Sequence, residues 1–226
     1  EYALDLNKAA NEKPSFYLLQ IKPMHGSGTG FSFDKEQLRQ EDLVIYAEQS
    51  MGNGKITGVR DAVFVKLEAF DRLRTKEIAA ELEKMNREMK EAKREYILIG
   101  PGRWGTADPH IGIPVKWSHI SNARIIIETS MEDFPLDASL GSHFFHNVTS
   151  MNVGYFSIQH NSPSEFIRWD MLQQQKVVEE SEFLKHVRFE KPLSILMDGK
   201  KRISAVMQEG CDGPVNRDED AEEQLL

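Results

Sequence analysis

The residue types with the clearest chemical potential lie between Ile97 and Val115, where a β-branched apolar run opens into a loop dense in glycine and proline. Gly100, Gly102 and Gly105 spell G-x-G-x-x-G after a predicted strand, the spacing that brings backbone amides to a dinucleotide pyrophosphate. That chemistry needs a helix directly after the third glycine. Pro109, Gly112 and Pro114 follow instead, and no helix runs through them. Two readings of the loop remain. In one it is a structural corner pinned by Trp104, the usual use of glycine and proline in loops. In the other, the Arg103 guanidinium joins exposed amides to receive a phosphate or a carboxylate.

His143 and His146 are the other candidates. They stand three apart on a helix predicted over 139–150 and share a face, where two imidazoles can bind a metal or carry a phosphoryl group. No cysteine or H-E-x-x-H pattern completes a zinc site. Phe144, Phe145 and Val148 favour the plainer reading of a helix capped by Ser142 with a histidine in the core. His143 also follows Gly141-Ser142 at the predicted helix start, where free amides and the helix dipole attract anions. Arg103 and His143 are therefore paired as a candidate anion site. The structural alternative ties Arg103 to a carboxylate such as Asp108 or Glu128. Glu132, Asp133, Asp137 and Asp108 offer carboxylates for an acid/base couple, against the commoner use of loop aspartates as turn and helix caps, and no residue is assigned a catalytic role.

The elements that must position these residues are short strands around one long helix. Tyr2–Leu6 alternates like a strand and 16–24 reads as its hairpin partner. Strands are predicted at Leu43–Glu48 and Ala62–Leu67, separated by a Gly52-Asn53-Gly54 turn. A helix is predicted over Phe70–Arg94, with Ile78, Leu82, Met85, Met89 and Ala92 on one seam and a Glu83–Arg87 pair outside. The narrow seam suits packing within the chain or, as the alternative, a dimeric coiled coil. Further strands are expected at Ile113–Trp117, Ala123–Thr129, Val153–Ile158, His186–Phe189, Leu193–Met197 and Arg202–Val206, with a hairpin turn at Asp198-Gly199. Strands and helices mix without regular βαβ alternation, so the expected class is α+β, a mixed α/β arrangement with short sheets.

Composition narrows the function classes. The 226 residues are 40% hydrophobic and 28% charged, enough for a real core. A net charge of −8 and no basic aromatic stripe argue against nucleic acid or an anionic membrane as partner. No apolar run approaches the ~20 residues of a membrane span. The single Cys211 excludes a disulfide framework, and the cytoplasm is the expected compartment. The chain opens at Glu1 with a hairpin that needs something to pack on, and it reads as a C-terminal fragment. The expected organisation is a hairpin over 1–24, a linker over 25–40, an accessory domain over 41–209 and an acidic disordered tail over 210–226.

Leu18-Leu19-Gln20-Ile21-Lys22-Pro23-Met24 resembles the closing strand of the nucleotide-binding domain of phosphoenolpyruvate synthases and pyruvate phosphate dikinases. That domain, an ATP-grasp relative, ends in a D-x-E-[FW] strand followed by L-Q-x-R-P. The resemblance makes Glu1 the magnesium-binding carboxylate and Gln20 the second ATP-site residue. Lys22 stands where the family has arginine and supplies its charge without a bidentate fork. The segment 96–128, with Gly141-Ser142-His143-Phe144-Phe145, is also similar to the C-terminal half of a synthase-like subgroup with a pyruvate-binding domain. Two parts of a full synthase are missing: no histidine here sits in a T-x-H-A segment, and a (β/α)₈ barrel takes about 250 residues. The implied role is the C-terminal portion of an ATP- and Mg²⁺-dependent phosphotransferase, contributing an edge of the ATP site. Its expected partners are the N-terminal remainder of its own polypeptide and a small anion, phosphate or phosphoenolpyruvate. The alternative is a non-catalytic binding, regulatory or dimerising module.

Overall fold

In the computed structural model the described residues are 2–5, 13–18, 31–108, 110–134, 153–211 and 216–217. β1 (Tyr2–Asp5) and β2 (Ser15–Leu18) pair antiparallel as the expected hairpin, Tyr2 opposite Leu18. β3 (Phe31–Ser32) precedes a 3₁₀ turn that Asp34 starts by accepting the Glu36 amide. β4 (Leu43–Ala47), β5 (Ser50–Met51) and β6 (Gly54–Val65) lead to the long helix α1 (Thr75–Glu91). β7 (Tyr96–Pro101), β8 (Arg103–Trp104), β9 (Gly112–Ile113), α2 (Trp117–Ile120) and β10 (Ala123–Thr129) follow. After them come β11 (Gly154–Ile158), β12 (Phe166–Ile167), α3 (Trp169–Gln173) and β13 (Lys176–Glu180). The chain closes on β14 (Leu184–Asp198), β15 (Ile203–Gln208) and β16 (Asn216–Arg217).

The fold is α+β, one large mixed sheet with one long helix. The sheet runs β12-β4-β15-β14-β6-β7-β10-β11-β5, with β13 added alongside β14. Its centre is parallel: β6, β7, β10 and β11 lie side by side in chain order. The remaining neighbours are antiparallel. Successive side chains alternate across the sheet. Tyr96, Leu98 and Ile126 therefore meet α1, while Ile97, Ile99, Ile125 and Ile127 join a second core with Leu172 of α3. Covering on both faces is why Tyr96–Ile99 of β7 and Ile125–Ile127 of β10 are unbroken apolar runs.

The α1 seam is buried within the chain at Ile78, Leu82, Met85 and Met89, each burial stabilising by about 1.5–3 kcal/mol. The polar Asn86 is buried beside Met85. It accepts the Tyr96 hydroxyl at 2.9 Å and the Asn122 amide at 3.0 Å, and donates to the Ser118 carbonyl at 3.1 Å. Ala92, expected on the seam, is exposed because the helix stops at Glu91. A left-handed Lys93 (φ 52°) turns the chain, and the Arg94 amide bonds back to the Met89 carbonyl. Glu83 lies 3.8 Å from His119.

Several expectations need correction. The strand expected at Ile113–Trp117 is only Gly112–Ile113. Pro114 has no amide to continue the ladder, and α2 starts two residues after Val115. The runs at His186–Phe189 and Leu193–Met197 are one strand, β14, whose register against β6 shifts between Arg188 and Leu193. A bulge absorbs Pro192 there. Residues 31–40, assigned to the linker, belong to the fold: Phe33 and Leu38 are buried with Leu43, Tyr46 and Leu196. Asn216–Arg217, assigned to the disordered tail, pairs with Phe31–Ser32. The helix expected over 139–150 lies outside the described residues.

Candidate functional site

In open sheets with parallel strands, ligands bind beyond the carboxyl ends of those strands. Here that edge is formed by Gly100 and Pro101 at the end of β7 and by Glu128, Thr129 and Ser130 at the end of β10. The glycine loop leaves from it and folds straight back. The Gly102 amide donates to the Thr129 carbonyl at 2.9 Å, and Arg103 pairs with Gly112 in a two-residue parallel ladder.

Each conspicuous glycine answers a packing need. A Cβ on Gly100 would overlap the Trp104 ring, and one on Gly112 would overlap the Arg103 backbone. Gly102 is left-handed (φ 69°) and lies against Phe134. Buried Trp104 donates its indole N–H to the Ile127 carbonyl at 3.1 Å. These contacts are those of a corner pinned by Trp104, and they stiffen the segment that carries Arg103.

Glu128 holds the corner from the other side. Its Oε1 accepts the Trp104 amide at 2.8 Å, and the residue is fully enclosed. Burial pushes its carboxyl up to about 7; the Tyr155 hydroxyl, the Trp104 amide and the positive charge of Arg103 keep it from rising further. Burial, with Glu128 beside it, drives the Tyr155 phenol upward as well. Ser157 stands opposite Glu128 on β11, and its buried hydroxyl has no hydrogen-bond partner among the described residues. Ser130 Oγ lies 3.0 Å from His160 Nδ1 and accepts the His160 amide at 2.9 Å, clamping the ends of β10 and β11 together. The arrangement is a carboxyl able to change charge near neutrality, with a guanidinium, a phenol and a serine hydroxyl around it.

No family model, curated protein or solved structure matches the chain.

Of the residues singled out in the sequence, Arg103 is on the described edge. Glu1, Gln20, Lys22, His143 and His146 lie outside the described residues, as does Asp137. Asp108 caps its own turn, accepting the His110 amide at 2.9 Å. His119 receives the Lys116 amide at 3.4 Å and serves as a helix cap. Asp133 offers its carbonyl to Arg72 at 3.1 Å. Among the described residues no group of three or more His, Cys, Asp or Glu could hold a metal ion, and no helix is long and apolar enough to cross a membrane.

Sequence reasoning named Glu128 only as a tether for Arg103 and passed over Tyr155 and Ser157. A signal for Glu128 was present. A glutamate following Ile125-Ile126-Ile127 in a strand buried on both faces must be satisfied or neutralised. Asp61, ahead of Ala62-Val63-Phe64-Val65, carries the same signal and was also passed over.

Proposed function

We propose that this chain is the C-terminal, anion-holding portion of an ATP-dependent phosphotransferase resembling phosphoenolpyruvate synthase, with its anion site at the edge formed by Arg103 and Glu128. The observation that carries this reading is the enclosed Glu128 carboxyl at the carboxyl end of β10, bonded to the Trp104 amide at 2.8 Å on the segment that carries Arg103. Arg103 offers the countercharge for a phosphate or carboxylate. When Glu128 takes a proton, the negative charge that would repel an anionic ligand beside Arg103 disappears. Anion binding and proton uptake are then coupled, and affinity falls as pH rises through 7. The proposed ligand is phosphate or phosphoenolpyruvate.

The ATP part of the reading rests on the hairpin. Leu4 and Phe16, opposite each other in the hairpin, are 54% and 61% exposed, and they offer an apolar face to the remainder of an ATP-grasp-like domain in the N-terminal part of the polypeptide. Glu1, Gln20 and Lys22 would belong to the Mg-ATP site, where the metal would neutralise phosphate charge. The single Cys211 and acidic composition suit the cytoplasm. A non-catalytic regulatory module would use the same Arg103 site, and a turnover assay on the whole polypeptide distinguishes it.

Calorimetric titration of phosphate and phosphoenolpyruvate into the chain and into Arg103→Ala provides the test. Binding should be lost in the variant while the melting temperature barely moves. A large fall in Tm with no ligand bound by the parent chain would make Arg103 a structural tie and overturn the reading. Mg-ATP should bind the isolated chain weakly, because one hairpin is only an edge of the nucleotide site; a micromolar Kd would contradict that assignment.

A further inference from the structure

At the opposite end of the parallel strands lies an open cleft of about 510 Å³. It sits where α1 ends, against the middle of β6, the start of β7 and the middle of β14. Arg60, Lys90, Lys93, Arg94 and Arg188 line it, with Asp61 and Glu95 as the lining carboxylates. For a protein with a net charge of −8 this is a local reversal of sign.

The carboxylates are already committed. Asp61 is buried, 2.8 Å from His186 Nε2, and its other oxygen accepts from the Arg188 guanidinium. Burial pushes Asp61 upward, yet the His186 bond and the Arg188 charge outweigh it and hold the carboxyl below its ordinary range. A buried anion thus aims Arg188 from the floor of the cleft. Glu95 lies 3.9 Å from Arg124, and Glu209 is engaged with the Gly58 amide. No carboxylate among the described residues forms an ion pair with Arg60, Lys90, Lys93 or Arg94.

A helix C-terminus attracts cations by itself, which accounts for Lys90 and Lys93. It does not account for Arg60 and Arg188, which converge on the same space from two strands of the sheet. Lys93 also occupies a left-handed position where glycine is the unstrained choice, so its side chain is kept against a backbone cost. Gly58, left-handed as well, leaves open space above its Cα at the cleft wall. Among the described residues no aromatic side chain lines the cleft, so none of them stacks on a nucleobase there.

We propose that this cleft binds a small molecule through a chain of two or three linked phosphates, with Arg188 as the preset anchor and Arg60, Lys93 and Arg94 closing over it. The volume is of the size that small-molecule sites use. Cations arriving from three elements suit several linked phosphates better than one.

The test is calorimetry on the full 226-residue chain with orthophosphate, pyrophosphate, tripolyphosphate and metal-free ATP. Tripolyphosphate should bind at least about tenfold tighter than orthophosphate, ATP no tighter than tripolyphosphate, and all should weaken with salt. The double variant Arg60→Gln with Lys93→Gly should lose about tenfold or more in tripolyphosphate affinity without a lower Tm, since glycine suits position 93. Arg103→Ala should leave this affinity unchanged, which separates the cleft from the edge proposed above. The proposal is overturned if tripolyphosphate does not bind at millimolar concentration. Equal weakening by the surface pair Lys176→Gln and Lys191→Gln would also overturn it, because net charge alone would then explain binding. A single-stranded oligonucleotide that competes at the same phosphate concentration would make the surface a nucleic-acid one and refute the small-molecule assignment.

Discussion

Two buried acids respond to pH in opposite directions. Glu128 goes from an ordinary value of 4.5 to about 7 on folding, so the folded chain binds its proton more tightly than the unfolded chain does. Its stabilising contribution is full below the unfolded value and declines as pH rises through 7. The difference corresponds to about 3 kcal/mol over that window. Asp61 is held low in the fold, so the stability it contributes is present above its ordinary range and is lost as pH falls through the lowered value. Glu128→Gln keeps an acceptor for the Trp104 amide and removes the charge. Urea unfolding at pH 5 and pH 8 should show the variant gaining roughly 1–3 kcal/mol on the parent chain at the higher pH. Parallel pH profiles would mean that Glu128 does not change charge in this window.

At the scale of elements, the loop between β7 and β10 owes its shape to close approaches. Gly112 lies so near the Arg103 backbone that any Cβ would force the β8–β9 ladder apart, whereas Gly58 has no neighbour within reach and only its φ of +86° to protect. The two glycines should therefore answer differently to alanine. Gly112→Ala is expected to cost 3 kcal/mol or more, at or above the upper range of ~1–3 kcal/mol for overpacking, because backbone cannot yield as a side chain can. Gly58→Ala should cost only about 1 kcal/mol of left-handed strain. Chemical denaturation of both variants measures the difference, and equal losses would contradict the clash. The reach of α1 is set in the same local way. Its apolar seam meets the sheet, Asn86 bonds to Tyr96, and a left-handed Lys93 stops it.

Across the whole molecule, the sheet is completed by chain segments remote in sequence. Phe33 and Leu38 fill the gap over β4 and β15, and Lys201 Nζ reaches the Phe33 carbonyl at 2.9 Å. A chain beginning at Phe31 should keep that core, while one beginning at Glu41 exposes Leu43, Tyr46 and Leu196. Removing a buried aromatic such as Phe33 typically costs 3–5 kcal/mol. Scanning calorimetry should accordingly give the shorter chain a Tm lower by several degrees, or leave it aggregated. Equal melting of the two chains would show that 31–40 contributes nothing. Limited digestion with a protease of broad specificity such as proteinase K is expected to cut near 25–30, a Gly/Ser-rich stretch by composition, and to spare the segment 97–128, where the core strands and the pinned corner lie.

The sequence by itself determined the local elements whose patterns are regular. The 3- and 4-residue spacing of Ile78, Leu82, Met85 and Met89 specified the buried face of α1, the run Ala123–Thr129 specified β10, and Asp198-Gly199 specified the turn between β14 and β15. In that turn Asp198 accepts the Lys200 and Lys201 amides at 3.0 and 2.9 Å. These are interactions between near neighbours, so periodicity and turn chemistry suffice to find them. The tertiary structure alone decided that β6, β7, β10 and β11 run parallel side by side, that Pro192 sits in a bulge rather than at a strand end, and that 31–40 is core. It also decided what Glu128 and Asp61 are. A carboxylate's charge state depends on what surrounds it, and Tyr155, Arg103, His186 and Arg188 come from strands far away in the chain. Their convergence depends on strand order, which no local pattern encodes.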